Sequence, residues 1–275
     1  MDNLRVSLVQ GATRWHDPEA NRAYYGALVA PLHGTTDLVL LPETFTSGFS
    51  NEAIERAETM DGPTVAWMRE QAAALDAAVC GSVQLRATVE GKEGVFNRLL
   101  FATPDGGLRH YDKRHLFRYA NEHERYAAGR ERLVVDWRGW RICPQVCYDL
   151  RFPVFSRNRH DVERPGDLDY DLLLYVANWP AARADAWKTL LRARAMENLC
   201  FVAGLNRVGT DGNGIDYDGD SVVLDFLGRP LSECGDMEVV STATLIGDDL
   251  MAHRERFPAM LDADAFELAD RQPPG

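Results

Sequence analysis

The sequence predicts an α/β chain with mixed strand pairing, folded as two sheets packed face to face between helical layers. Three observations carry this. Segments with strand and helix character alternate through both halves of the 275 residues, the pattern of layered α/β architecture. Two continuous apolar runs, DLVLL (37–41) and DLLLYVA (171–177), fall one in each half and suit strands buried on both faces. No Pro-, Gly- or Ser-rich linker separates the halves. Residues 1–275 are therefore expected to form a single domain, with about 258–275 as an acidic extension outside the main core.

Taken in order, LRVSLVQ (4–10) is β-rich with partial alternation and reads as the first strand. Residues 18–32 are Ala-rich, with Ala20, Ala23, Tyr24 and Leu28 at helical spacing and Pro31 at the end. The strand 37–41 stops at Pro42, and Gly62-Pro63-Thr64 opens a second helix carried by Val65, Met68, Ala72 and Leu75. AVCGSVQL (78–85) is the next strand, and NRLLFAT–PDGG–LRHYDK (97–113) reads as a hairpin. A second strand pair, 133–137 and 140–147, turns at Arg138-Gly139. Residues 185–198 form a helix expected to bury Trp187, Leu190, Leu191, Ala195 and Met196. Strands at 199–205 and 239–246 and a hairpin SVVLDF–LGRP–LSEC complete the chain.

Bulk properties exclude several classes. Net charge is −12, from 42 acidic and 30 basic side chains, which argues against nucleic acid as a partner. No apolar run approaches the roughly 18 residues that would cross a bilayer, and MDNLRVSLVQ has no signal-peptide pattern. The five cysteines are odd in number and widely spaced, as free thiols in a reducing, cytoplasmic setting would be. With no CxxC pair and no HExxH, no metal site is expected. The loop GTDGNGIDYDGD (209–220) resembles a cation loop. An EF-hand starting at Asp216, however, needs Gly and Glu where Ser221 and Leu227 stand. It reads instead as a flexible or ligand-lining loop.

Chemistry concentrates at three strand ends: Glu43 in LPETF, Lys113 in YDKRHLF, and Cys147 in RICPQVCYDLRFP, where an apolar strand ends in a sharp turn toward a helix broken at Pro153. Ligands of open α/β sheets bind beyond strand carboxyl ends, so three such ends can converge. A carboxylate can take the thiol proton, and an ammonium favours the anion that results. The same ammonium, with the backbone N–H of Tyr148, can hold an oxyanion. Each residue also has a plainer reading. Cys147 could be a small core residue, as Cys143 is taken to be. Glu43 could be a cap or surface acid, Lys113 part of a solvated DKRH run, and Arg151 the surface partner of Asp149. His110 or His115 could serve a Cys–His hydrolase instead, and a non-catalytic binding protein is the alternative from another class.

Together and in this order, LPETF, YDKRHLF and CYDLRFP resemble the nitrilase superfamily of carbon–nitrogen hydrolases, over essentially the whole chain. The resemblance implies a four-layer α-β-β-α sandwich, dimerised into an eight-layer assembly. It implies a Glu43–Lys113–Cys147 triad with no metal or organic cofactor. It also implies a second glutamate seven residues before a glycine. Glu122 stands seven before Gly129, with Glu124 two residues away as competitor. Tyr148-Asp149 replaces the Trp-Glu of true nitrilases, and CYDLRFP with YVANWP looks like the omega-amidase branch. That branch implies a small-molecule partner, an omega-amido keto acid such as 2-oxoglutaramate or 2-oxosuccinamate. N-carbamoyl or other aliphatic amides are the alternative. Arg151 would anchor the substrate carboxylate and Trp179 would wall the pocket. FSRNRHDVERPGDLDY (155–170) is longer and more charged than the family pattern and bears on the substrate and the dimer face.

Overall fold

A computed structural model describes residues 1–161 and 164–268. Residues 162–163, inside the charged segment, and 269–275, in the acidic extension, lie outside the described residues. The first half supplies strands β1 (Leu4–Gln10), β2 (Leu38–Leu40), β3 (Ala78–Val89), β4 (Lys92–Ala102) and β5 (Leu108–Asp112), with helices α1 (Pro18–Val29), α2 (Pro63–Leu75) and the single turn α3 (Glu122–Arg125). The second half contributes β6 (Val135–Trp137), β7 (Trp140–Val146), the short α4 (Pro153–Ser156), β8 (His160–Asp161), β9 (Arg164–Leu168) and β10 (Leu172–Ala177). It continues with α5 (Ala184–Asn198), β11 (Phe201–Asn206), β12 (Val208–Thr210), β13 (Asp216–Asp218), β14 (Val222–Leu224), β15 (Pro230–Glu233), β16 (Val239–Leu245) and α6 (Gly247–Arg256).

Two six-stranded sheets result, ordered β16-β1-β2-β3-β4-β5 and β15-β14-β11-β10-β7-β6. Each has three parallel central strands, β1-β2-β3 in one and β7-β10-β11 in the other, with antiparallel strands outside them. Only α/β crossovers can join parallel neighbours, which is why helices cover the outer faces. The period-two alternation of β2 is explicit. Leu38 and Leu40 enter the core shared by both sheets, whereas Val39 and Leu41 face Val65, Met68 and Ala72 of α2. The four-layer order read from the sequence is the order observed.

Some boundaries differ, and the reasons are local. The strand expected to end at residue 85 continues to Val89 and returns from Lys92, turning at Glu90 and Gly91, both with positive φ. This hairpin tip projects beyond the core and is exposed, so it carries no apolar pattern, and its two left-handed residues suit a two-residue turn. In α5, Leu190 is half-buried and Met196 is 50% exposed. Arg194 is buried in their place and donates to the Leu150 carbonyl at 2.6 Å. The helix approaches β11 so closely that a Cβ at Gly204 would lie 2.5 Å from Leu191 Cδ1. Helix α6 carries no apolar stripe to predict it; Arg254 ties it down, donating to the carbonyls of Leu199 and Tyr170 and to Asp171.

The charged segment does not cross the carboxyl ends of the central strands as far as it is described. Asp169 pairs with Arg132 and Arg159, and Asn158 bonds to Tyr170 and Asn198, so it is clamped beside α5. Of the C-terminal extension, Met260 packs on Leu168 and Leu199, while residues 263–268 have no regular structure.

Asp171 is the structural charge that matters most here. It is 2% exposed and accepts from Arg141 at 2.8 Å and Arg254 at 2.6 Å. Burial would raise its carboxyl pKa, but the two guanidiniums overcome that and hold it below the usual range. A depressed folded-state value means the stabilisation is present above the unfolded value of about 3.9 and is lost as pH falls through the lower folded one. Asp171→Asn is therefore expected to cost about 3 kcal/mol at neutral pH, chiefly by stranding the buried Arg254 guanidinium, with the partly exposed Arg141 adding less. The gap in urea midpoint between variant and wild type should begin to narrow only once the pH drops below about 4, and close as it falls past the lower folded-state value.

Candidate active site

Four strand ends meet between the sheets. Glu43 lies just past β2, Lys113 directly after β5, Cys147 directly after β7, and Asn178 directly after β10. Lys113 is held in register because its N–H continues the β4–β5 ladder to the Asn97 carbonyl at 3.0 Å. The chain then returns across it, with Gly129 N–H donating to the Lys113 carbonyl at 3.0 Å. A Cβ at Gly129 would overlap the Asp112 carbonyl, so only glycine fits this crossing.

The side chains form one connected cluster. Lys113 Nζ is 2.9 Å from Glu43 Oε1 and 3.0 Å from both carboxylate oxygens of Glu122. All three residues are 1% exposed or less, and Lys113 Nζ also sits 5.3 Å over the Phe49 ring. Glu43 accepts from Asn97 Nδ2 at 2.8 Å and from the Asn178 backbone N–H at 2.8 Å, and its own carbonyl accepts from Asn178 Nδ2 at 2.7 Å. Glu122 further accepts from the Phe117 N–H at 2.6 Å. Of the two candidate acids, Glu122 is the one that reaches Lys113; the Glu124 side chain is 63% exposed beside His123. Cys147 Sγ lies 3.8 Å from the Asn178 carbonyl oxygen.

Two of the strand ends are strained. Cys147 has φ +44° and Thr44 has φ +44°, in the left-handed region that non-glycine residues rarely occupy. Thr44 is fixed by Ser82, whose Oγ accepts from its N–H at 2.9 Å. The Cys147 turn is fixed by Asp149, which is fully buried. Its Oδ2 accepts from the Val146 N–H at 3.0 Å and Tyr111 OH at 2.8 Å, and its Oδ1 accepts from the His115 N–H at 3.0 Å, with His115 Nδ1 at 2.7 Å. Asp149 thus joins the cysteine's turn to the segment bearing Lys113 and is no partner for Arg151, contrary to the surface pairing the sequence allowed. After Cys147 the chain makes a single 3₁₀ turn to Arg151 and then the four-residue α4, which begins at Pro153.

Electrostatics follow from burial. Desolvation, then the neighbouring Glu43 carboxylate, push the Cys147 thiol well above its ordinary pKa, and Lys113 offsets this only in part. Burial would lower the Lys113 pKa, but Glu122 and Glu43 more than reverse it and leave it raised. The Glu122 pKa is raised by burial and by Glu43, against the pull of Lys113. The resting arrangement is a protonated thiol beside an ammonium held by two acids. Cys143 is buried, and burial pushes its thiol up to about 12.

A cavity of about 140 Å³ opens from this cluster. Glu43, Lys113, Cys147 and Asn178 line its buried end, and Phe49, Phe117, Trp179 and Pro180 its walls. Arg151 and Arg183 also line it. Arg151 lies 4.8 Å over the Trp179 ring. Ile215 and Tyr217, from the 209–220 loop folded as the β12–β13 hairpin, close one side, with Tyr217 OH donating to Asp211 at 2.9 Å. Tyr148 lines the cavity beside Cys147. No histidine does among the described residues, so His110 and His115 are not the thiol's partners. Nor do the described residues contain a group of three or more His, Cys, Asp or Glu able to hold a metal ion. Sequence reasoning missed Asn97, Asn178 and Asp149. Asn178 was accessible by the same signal as the others, a polar residue directly after an apolar strand (DLLLYVAN). Asn97 and Asp149 carry no such mark.

The carbon–nitrogen hydrolase family model matches residues 5–252. The chain is 48% identical to omega-amidase YafV of Yersinia enterocolitica over 98% of this chain and 100% of that protein. It is 45% identical to omega-amidase YafV of Escherichia coli K12 over the same shares. A solved carbon–nitrogen hydrolase superfamily protein from Xanthomonas campestris, with an arsenic adduct in its active site, superposes with a TM-score of 0.94 at 71% identity, covering 98% of this chain and 100% of that one.

The raised thiol gives a direct test. The thiolate absorbance of the wild type minus that of Cys147→Ala is expected to stay flat from neutral pH past the ordinary thiol value of about 8.5. A step at or below neutral pH would mean a resting thiolate–ammonium pair instead.

Proposed function

The chain belongs to the carbon–nitrogen hydrolase family, and from that premise we propose that it hydrolyses the terminal amide of small omega-amido acids, releasing ammonia through a thioester on Cys147. The observation that carries the chemistry is the buried contact of Lys113 with Glu43 and Glu122 beside the Cys147 thiol. Glu43 takes the Sγ proton as sulfur attacks the amide carbon. The oxyanion is held by the Lys113 ammonium and the Tyr148 N–H. Glu43 returns the proton to the departing nitrogen, ammonia leaves, and the acyl group remains on sulfur. Glu43 then takes a proton from water, whose oxygen attacks the thioester; the carboxylic acid departs and the proton restores the thiol. Glu122 keeps Lys113 charged and oriented. Protein groups suffice for every step, so the reading calls for no metal or cofactor.

The omega-amido acid substrate is supported by the likeness to the two omega-amidases and by Arg151. Arg151 lines the cavity with no carboxylate within 4.0 Å among the described residues. We assign it to the substrate carboxylate, which a guanidinium fork can take in two parallel hydrogen bonds. Trp179, 4% exposed and anchored at both ends, serves as the wall that positions Arg151. The acid would be a keto acid such as 2-oxoglutaramate or 2-oxosuccinamate. We read the chain as one hydrolase domain with a short extension after residue 258. We further read it as a homodimer joined through the layer of α4 and α5, where Val154 and Met196 are exposed. A cytoplasmic setting fits its five free cysteines, and among the described residues no helix is long and apolar enough to cross a membrane.

Two variants test this. Cys147→Ala is expected to abolish ammonia release while the circular dichroism spectrum and urea midpoint hold, since one small side chain is lost; retained turnover would sink the nucleophile assignment. Arg151→Ala should raise KM for 2-oxoglutaramate by about ten-fold or more, far beyond any change for a neutral short amide, because a charge-assisted pair is removed. Equal effects on both substrates would remove the carboxylate anchor.

A further inference from the structure

The cavity holds a second guanidinium to which nothing above gives a role. Arg183 is half-buried, lines the cavity, and follows the turn after β10, with its backbone N–H donating to the Pro180 carbonyl at 2.9 Å. Its guanidinium carbon lies 5.4 Å from the Phe117 ring centre and 5.6 Å from that of Tyr119. It makes no side-chain hydrogen bond or ion pair among the described residues, and neither does Arg151. Ten donor N–H groups on two planar forks are therefore free to meet a ligand.

Charge makes this arrangement hard to read as incidental. The protein carries −12 overall, and yet among the described residues Glu43 is the only carboxylate lining the cavity. That carboxylate is already engaged by Lys113 at 2.9 Å. The two arginines are thus uncompensated cations packed on aromatic faces, which supply attraction but no acceptor for hydrogen bonds. Both are placed by one residue. Trp179 carries Arg151 against its face at 4.8 Å and donates its ring N–H to the Arg183 carbonyl at 2.8 Å. The cations come from separate elements, the cysteine's 3₁₀ turn and the turn before α5, and one indole fixes their relation.

One carboxylate saturates one fork. A 2-oxo acid presents a third acceptor beside it, the oxo oxygen. We infer that Arg183 is a specificity-determining residue that, together with Arg151, binds the carboxylate and adjacent oxo oxygen of a 2-oxo omega-amido acid, so that the site prefers such acids to unsubstituted ones of the same length. This rests on the omega-amido acid reading above and extends it from the carboxylate to its neighbour.

The test compares wild type, Arg183→Ala and Arg183→Lys on 2-oxoglutaramate, on glutaramate, which lacks only the oxo group, and on neutral butyramide. Wild type is expected to favour 2-oxoglutaramate. In Arg183→Ala the kcat/KM ratio of 2-oxoglutaramate to glutaramate should fall about ten-fold or more, mainly through KM, the loss of one charge-assisted contact. Arg183→Lys should restore part of the attraction to both acids over butyramide but little of the discrimination between them, because an ammonium lacks the planar fork. A ratio unchanged in Arg183→Ala overturns the inference while leaving Arg151 and the omega-amido acid reading intact. Wild-type turnover of butyramide with neither acid accepted overturns that reading, and this inference with it.

Discussion

The buried ammonium of Lys113 between two carboxylates is the constraint on which the rest of the molecule depends. Taking one cation and two acids out of water costs several kcal/mol per ion, and only close contact recovers it. Glu43, Lys113 and Glu122 come from three different places in the chain, yet their contacts lie at 2.9–3.0 Å. A slip of one residue in β5 would turn Lys113 to the other face and leave two buried acids without their cation. The register of β4 against β5 is therefore fixed by the cluster as much as by packing. So is Gly129, whose missing side chain lets the returning segment pass directly over the Lys113 backbone.

The second constraint is strain. Left-handed backbone at Cys147 and Thr44 costs on the order of 1–3 kcal/mol at each residue, and such geometry persists only where neighbours over-determine it. Asp149 does this for the cysteine by spending all of its acceptor capacity on the turn and on the Tyr111–His115 segment. Ser82 does it for Thr44 from the adjacent strand β3. The supports cross between elements. The thiol's turn is braced by the Lys113 segment, and the carboxylate's turn by the central strand of its own sheet. Displacing any one of these elements would disturb at least two of the reacting groups.

What could be read in the sequence, and what could not, follows from which interactions are local. The central strands were legible because DLVLL and DLLLYVA are buried on both faces and must be apolar throughout. Glu43, Lys113 and Cys147 were legible because a reactive residue at the end of such a strand stands out against it. Asp149 was not picked out, and a surface pairing with Arg151 stayed open, because two residues beyond a cysteine its burial depends on Tyr111 and His115, more than thirty residues earlier in the chain. Helix α6 was missed for a related reason. An arginine bonded to distant carbonyls anchors it, and hydrophobic periodicity does not register that kind of attachment. The β3–β4 tip escaped because a strand leaving the core has no face to keep apolar.

The electrostatics also bear on when the thiol gives up its proton. Burial first, and then the neighbouring Glu43 carboxylate, hold the Cys147 pKa well above ordinary, while Glu122 and Glu43 raise that of Lys113 against its burial. A standing thiolate is thus disfavoured in the resting cluster. On the mechanism proposed, transfer to Glu43 relieves the crowding at the moment of attack, because one carboxylate is neutralised as the sulfur's charge passes to the substrate oxygen. The count of anions near Lys113 then stays at two throughout, and only their positions change. Glu122 makes this possible. With a second acid held at 3.0 Å, the ammonium stays charged when Glu43 is protonated and remains available to the oxyanion. A buried lysine with a single acid partner would face a depressed pKa at that step, and burial would drive it toward the neutral amine.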